Sequence, residues 1–112
     1  MTVNNFTIKQ NSTFNYQLAL TDSTGNIVPL IGYSARMTMK FINNKSYTMD
    51  TLSYGGISIS GASGLINMTI PASTTSTFYW DGTYDLLVKD ASGNVDTLLE
   101  GNILIKSGIT IL

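Results

Sequence analysis

The 112-residue chain contains no cysteine and no histidine. Disulfide frameworks, thiolate nucleophiles, Cys/His zinc sites and imidazole general bases are thereby excluded. Charge is scarce: 6 Lys and Arg face 7 Asp and Glu, for a formal net charge of −1, without the clustered cations that a nucleic-acid binder requires. No apolar run approaches the roughly 18 residues needed to cross a bilayer, so no membrane association is expected. The start, Met1-Thr2-Val3-Asn4-Asn5-Phe6, has neither a basic n-region nor an apolar h-region, and no secretory signal is expected. The missing cysteine fits a reducing cytoplasm at synthesis.

What remains is 43% hydrophobic residues, 12% charged residues and 37 Ser, Thr and Asn. Such a chain can bury a core beneath a surface that is polar without being ionic, and its length fits one domain, residues 1–112. Asn-x-Ser/Thr occurs at Asn5, Asn11, Asn44 and Asn67, as chance predicts in this composition, and glycosylation is not expected.

Apolar periodicity is close to two, the mark of half-buried strands. Phe14, Tyr16, Leu18 and Leu20 alternate with Asn15, Gln17, Ala19 and Thr21; Tyr33, Ala35, Met37, Met39 and Phe41 alternate with Ser34, Arg36, Thr38 and Lys40. A helix would scatter these positions around its circumference. Further strands are expected at residues 3–9, 47–52, 57–60, 65–70, 84–89 and 95–105, the last with a break at Gly101. Turn signals separate them, among them Asp22-Ser23-Thr24-Gly25-Asn26, Asn43-Asn44-Lys45, Asp81-Gly82 and Asp90-Ala91-Ser92-Gly93-Asn94. The two Asp-x-x-Gly-Asn loops read as tips with Gly in the left-handed region. Residues 71–78 lack alternation and open with Pro71, predicting a single helical turn between sheets. The pattern describes an all-β, immunoglobulin-like antiparallel β-sandwich of about seven to nine short strands.

Few groupings offer chemistry. Asp22 and Asp90 could supply oxygens to calcium, but each loop holds one carboxylate, and turn capping accounts for both. No metal and no cofactor is expected. Asp81 and Asp85 beside Trp80 could be read as a carboxylate pair; Asp81-Gly82-Thr83-Tyr84 reads better as a turn feeding a strand, with the Tyr84 hydroxyl bonding a corner of the backbone. No enzyme activity is expected. Phe78, Tyr79, Trp80 and Tyr84 form the densest aromatic cluster. Strand alternation buries Tyr84 and Phe78 can plug the sandwich end, leaving Tyr79 and Trp80 to contact a sugar or a protein. Arg36 sits mid-strand opposite the Met37 face, either as a solvated charge or as half of an inter-subunit salt bridge. The apolar tail, with Ile109 and Ile111, is expected to dock on another chain or on a sheet edge.

The order of these signatures resembles a family of small β-sandwich virion proteins of tailed bacteriophages, and in particular the N-terminal domain of phage baseplate upper proteins. The residues carrying the resemblance are Phe6-Thr7-Ile8-Lys9-Gln10, the turn at Asp22, Leu30-Ile31-Gly32-Tyr33-Ser34-Ala35-Arg36-Met37, Gly64-Leu65-Ile66-Asn67-Met68-Thr69-Ile70-Pro71-Ala72, Gly82-Thr83-Tyr84-Asp85-Leu86 and Leu98-Leu99-Glu100-Gly101. The resemblance implies a non-enzymatic structural protein of the particle (head decoration, neck or collar, tail or baseplate) made in the host cytoplasm. Its expected partners are other virion proteins and further copies of itself, as a homo-oligomer or symmetric multi-copy component. The alternative is a carbohydrate- or receptor-binding β-sandwich module using Tyr79 and Trp80, with Tyr47 or Tyr54 as a further contact. A buried Trp80 would remove that alternative's best residue.

Overall fold

The computed structural model describes residues 2–110. Among them are nine strands: β1 (Thr2–Val3), β2 (Phe6–Lys9), β3 (Phe14–Ala19), β4 (Ser34–Phe41), β5 (Ser46–Asp50), β6 (Ile57–Ser60), β7 (Leu65–Ile70), β8 (Gly82–Lys89) and β9 (Val95–Lys106). One helical turn, α1 (Ala72–Thr75), follows Pro71 as expected. No helix is long and apolar enough to cross a membrane among the described residues. The larger sheet runs β1-β9-β8-β4-β5 with β2 also on β9; the smaller runs β3-β7-β6. The all-β sandwich expected from periodicity is the fold observed.

The alternating residues set the two layers. In β4, Ala35, Met37, Met39 and Phe41 turn inward while Arg36 and Lys40 stay outside; in β8, Tyr84, Leu86 and Val88 do the same. They meet Ile66, Met68 and Ile70 of β7 and Ile8 of β2 in one core. Full burial of each Ile, Leu, Val, Met or Phe among them stabilises by about 1.5–3 kcal/mol.

The two Asp loops are the same device. Asp22 Oδ1 accepts from the N–H groups of Thr24 (2.9 Å) and Asn26 (3.0 Å); Asp90 Oδ1 accepts from those of Ser92 and Asn94 (both 2.9 Å). Gly25 and Gly93 follow at φ of 86° and 93°. Hydrogen bonds to the carboxylates, from the Thr24 side chain first at Asp22 and from Asn94 first at Asp90, hold both acids below their ordinary pKa.

Three local expectations are corrected. The run at residues 3–9 is split at Asn4 and Asn5, and both halves pair parallel with β9 rather than antiparallel. β9 is continuous through Gly101; its irregularity is a bulge, where Leu86 faces Leu99 but Leu87 faces Thr97, leaving Leu98 extra. Gly101 serves a different need: a Cβ there would stand 2.3 Å from the Asn4 carbonyl oxygen, so the split first strand can cross only over a residue without a side chain. Tyr84 is buried as expected, yet its hydroxyl donates to that same Asn4 carbonyl, 80 residues away, and not to a neighbouring corner. Burial, with Tyr16 nearby, pushes its pKa up to about 12.

Candidate functional site

The aromatic cluster lies at the end of the sandwich where β4 turns into β5 and the chain enters β8. Phe78 turns inward, its ring 4.9 Å from Phe41 and 5.5 Å from Tyr47. Burial raises the pKa of Tyr47. With Phe78 committed to the core, the next two rings are left outside: Tyr79 is 73% exposed and Trp80 50%. A cleft of about 120 Å³ lies between them and the β4–β5 turn, lined also by Asn43, Lys45, Ser46 and Thr77.

The loop carrying these rings is tied down on each side. Thr77 and Phe78 give their N–H groups to Thr74 and Thr75 of the helical turn, both at 3.0 Å. The Asp81 carbonyl accepts from Ile42 N–H at 2.9 Å and its carboxylate from Ile105 N–H at 2.8 Å. Gln10 makes a third tie: its amide donates to the Phe78 carbonyl and accepts from Gly108 N–H at 3.0 Å. The rings therefore sit on a rigid platform, the condition for binding without a large ordering cost.

Two further apolar side chains are exposed at this end, Ile42 at 69% and Leu104 at 49%, in an adjoining groove that includes Asp81. Neither was singled out from sequence. For Leu104 the signal was present: Ile103-Leu104-Ile105 is an apolar run within a strand of period two, so one of its residues must face outward, whereas Ile42 lies just past the end of β4, in the turn.

Of the residues expected to contact a partner, the structure gathers Tyr79, Trp80 and Ile109. Gln10 holds both Phe78 and Gly108, so Ile109, 96% exposed, leaves the fold beside the aromatic loop. The tail up to Gly108 is thus bonded to its own chain. Ile111 lies outside the described residues. Arg36 stands elsewhere, five residues from Phe41 along β4, about 17 Å at strand rise. It bonds the Asp50 carboxylate at 3.0 Å within its own chain, with its guanidinium carbon 5.6 Å from the Tyr54 ring centroid. Asp50 is buried, and burial alone raises its pKa. The N–H of Leu52, the Arg36 guanidinium and the N–H groups of Tyr54 and Gly55 outweigh that, so the acid lies below its ordinary value.

The other groupings do not converge. The Asp81 carboxylate is spent on Ile105, while Asp85 faces Thr38 and Glu100 across the larger sheet. Asp22 and Asp90 oxygens are taken by turn donors, and no group of three or more acidic, His or Cys residues able to hold a metal occurs among the described residues.

No protein-family model and no curated protein matches the chain. Solved structures do resemble it. The extracellular domain of the voltage-gated sodium channel beta4 subunit, described as a parallel homodimer with a role in cell-cell adhesion, superposes with a TM-score of 0.50 at 9% identity, over 97% of this chain and 95% of that one. A structure from work on multimeric cell-adhesive interactions of voltage-gated sodium channel beta subunits gives 0.50 and 9%, over 95% and 92%. At this identity the likeness shows the fold, an immunoglobulin-like sandwich.

The resemblance to phage baseplate upper proteins is corrected by the same findings: these two structures come from cell-adhesive sodium channel beta subunits, not from phage particles. The virion role and the virion location fall with it, and no finding supports virion partners. Three glycines that helped carry it answer local backbone demands of this fold. Gly32 and Gly64 hold φ of 81° and 64°, and a Cβ at Gly82 would stand 2.3 Å from the Lys40 carbonyl oxygen.

Proposed function

We propose that the chain is a non-enzymatic recognition module, a single β-sandwich domain that binds a cell-surface receptor at its aromatic end and associates with further copies of itself. One observation carries the reading: four large apolar side chains, Tyr79, Trp80, Ile42 and Leu104, stand exposed on one end whose backbone is tied to three other segments. Apolar patches rimmed by polar groups, here Asn43, Lys45 and Asp81, are the usual form of a protein-binding surface. Ile42 and Leu104 offer a sugar hydroxyl nothing, which favours a protein partner. A glycan is the second reading, favoured by the cleft that places Asn43, Lys45 and Ser46 next to the Trp80 ring. The self-association is supported by the sodium channel beta4 domain of like fold, which is described as a parallel homodimer.

Flow cytometry with the fluorescently labelled chain tests the receptor reading on intact bacterial and animal cells, untreated, protease-shaved and glycosidase-treated. The expected result is binding that protease abolishes and that the double variant Tyr79→Ser/Trp80→Ser weakens at least tenfold, with Val95→Ser at the opposite end unchanged. Binding lost only to glycosidase would replace the receptor by a glycan. Binding that the double variant leaves intact would overturn the site.

A further inference from the structure

Four margins bound the two sheets: β1 with β2, and β5, in the larger; β3 and β6 in the smaller. An unpaired strand edge templates further pairing, and proteins blunt such edges with charge, proline, interruption or cover. Three of the four are blunted. The β1 and β2 margin is interrupted at Asn4 and Asn5 and ends in Lys9. β5 ends in Asp50, whose N–H goes to Gly55 and whose carboxylate holds Arg36 and the turn that follows. β6 has four residues, and Gly56 just before it is bridged to Asp50. β3 has six residues, Phe14-Asn15-Tyr16-Gln17-Leu18-Ala19, with no charge and no proline.

The register identifies which of its groups are free. Leu20 gives its N–H to the Gly64 carbonyl at 2.9 Å, fixing that pair as hydrogen-bonded. The alternation of an antiparallel ladder then turns the backbone groups of Phe14, Tyr16 and Leu18 toward β7 and those of Asn15, Gln17 and Ala19 away from it. Among the described residues, no other part of the chain bonds these three N–H and three C=O groups. On the core side, Phe14, Tyr16 and Leu18 remain only half-buried because no strand lies beyond them. On the outer side, Asn15 and Gln17 are fixed by hydrogen bonds to Thr69 (2.9 Å) and Asn67 (2.8 Å).

We propose that this edge joins two copies of the chain, β3 pairing antiparallel with β3 about a two-fold axis through Gln17. The inference rests on the self-association proposed above and names its surface. That axis sets Gln17 against Gln17 and each Asn15 against the Ala19 of the other copy, so every free group on the edge gains a partner, in about six N–H···O=C bonds. On the core side it brings Tyr16 against Leu18 of the second copy, twice, covering apolar surface that one chain leaves half open. The strand carries no charge, so no like charges meet across the axis. A contact of this symmetry is self-complementary and closes at two copies, which is why the occupant is a second copy and not an open series.

Sedimentation velocity of the wild-type chain, of Gln17→Lys, of Gln17→Glu and of an equimolar mixture of the two variants tests the proposal. Position 17 is exposed, its backbone N–H bonds nothing and its side chain gives up only one surface hydrogen bond, to Asn67, so both variants keep the fold, which thermal unfolding checks. The expected result is a wild-type dimer, dissociation constants at least tenfold higher for each variant alone, where like charges oppose on the axis, and recovery in the mixture. A wild-type dimer unaffected by the variants, or no recovery in the mixture, would overturn the β3 edge while leaving self-association in place. A wild-type chain monomeric up to millimolar concentration would overturn both.

Discussion

Replacing Gly101 by Ala tests how the N-terminal strands are held. The added methyl would stand 2.3 Å from the Asn4 carbonyl oxygen and 2.9 Å from its carbon, and because these are backbone atoms no side-chain rotation relieves the clash. The crossing must lift, and three hydrogen bonds depend on it: Asn4 N–H to Glu100 O at 2.9 Å, Asn102 N–H to Asn5 Oδ1 at 2.9 Å, and the Tyr84 hydroxyl to Asn4 O. At about 1 kcal/mol net for each bond, their loss costs about 3 kcal/mol. For a domain of this size that is a fall in Tm of about 10–15 °C. Tyr84→Phe removes only the third bond, leaves the Asn4 carbonyl without that donor and costs about 1–2 kcal/mol. Since both changes act on one crossing, the double variant should cost less than the sum of the singles. Urea unfolding followed by circular dichroism measures all three proteins. Gly101→Ala within 0.5 kcal/mol of wild type would refute the close approach, and strict additivity would refute the shared crossing.

Stability should also depend on pH only at the extremes. With no histidine in the chain, melting temperatures between about pH 5 and 9 should be nearly flat. Asp22, Asp50 and Asp90 titrate below their ordinary value when folded, so their contribution is present above about pH 4 and is lost as acid takes the pH down through the folded pKa values. Tyr84 is raised to about 12, so its contribution is complete below pH 10 and disappears as the pH climbs toward 12; Tyr84→Phe should flatten that alkaline fall. Thr75→Val should cost about 1–2 kcal/mol in urea unfolding, because the buried Thr75 hydroxyl donates to the Ser12 carbonyl at 2.8 Å and the loss leaves that group without its donor. Leu86→Ala, at a fully buried position between β4 and β9, should cost about 2–5 kcal/mol.

The strands were legible because alternation is a local property. The residues inward in β4 and β8 are those that the sequence pattern assigns to the core, and the two Asp loops announce their geometry in five residues each. The exposure of Tyr79 and Trp80 was legible for a related reason: three consecutive aromatics cannot all turn inward, and Phe78 has the core partners. Contacts between distant segments were not legible. The parallel pairing of β1 and β2 with β9 joins residues nearly a chain length apart, and the need for glycine at position 101 exists only once that crossing is made. Gln10 gives no sign in sequence that it clamps both Phe78 and Gly108. Arg36 stood open in sequence between a solvated charge and an inter-subunit salt bridge because its intrachain partner, Asp50, meets it only across the β4–β5 register. The phage resemblance misled because its most distinctive positions, the glycine, tyrosine and aspartate patterns, report turn and strand geometry and carry no information about partners.

Trp80 is the chain's one tryptophan, so its emission reports directly on the proposed binding surface. Fluorescence of the intact chain, titrated with cell-surface proteins released by mild protease treatment from cells that bind it, is the most direct test that this end is where recognition occurs. Burial of the half-exposed ring by a receptor predicts a saturable blue shift of the emission and protection from acrylamide quenching, both absent after heat denaturation of the released proteins. Saturable binding of the chain to those proteins with the emission and quenching of Trp80 unchanged would contradict the account.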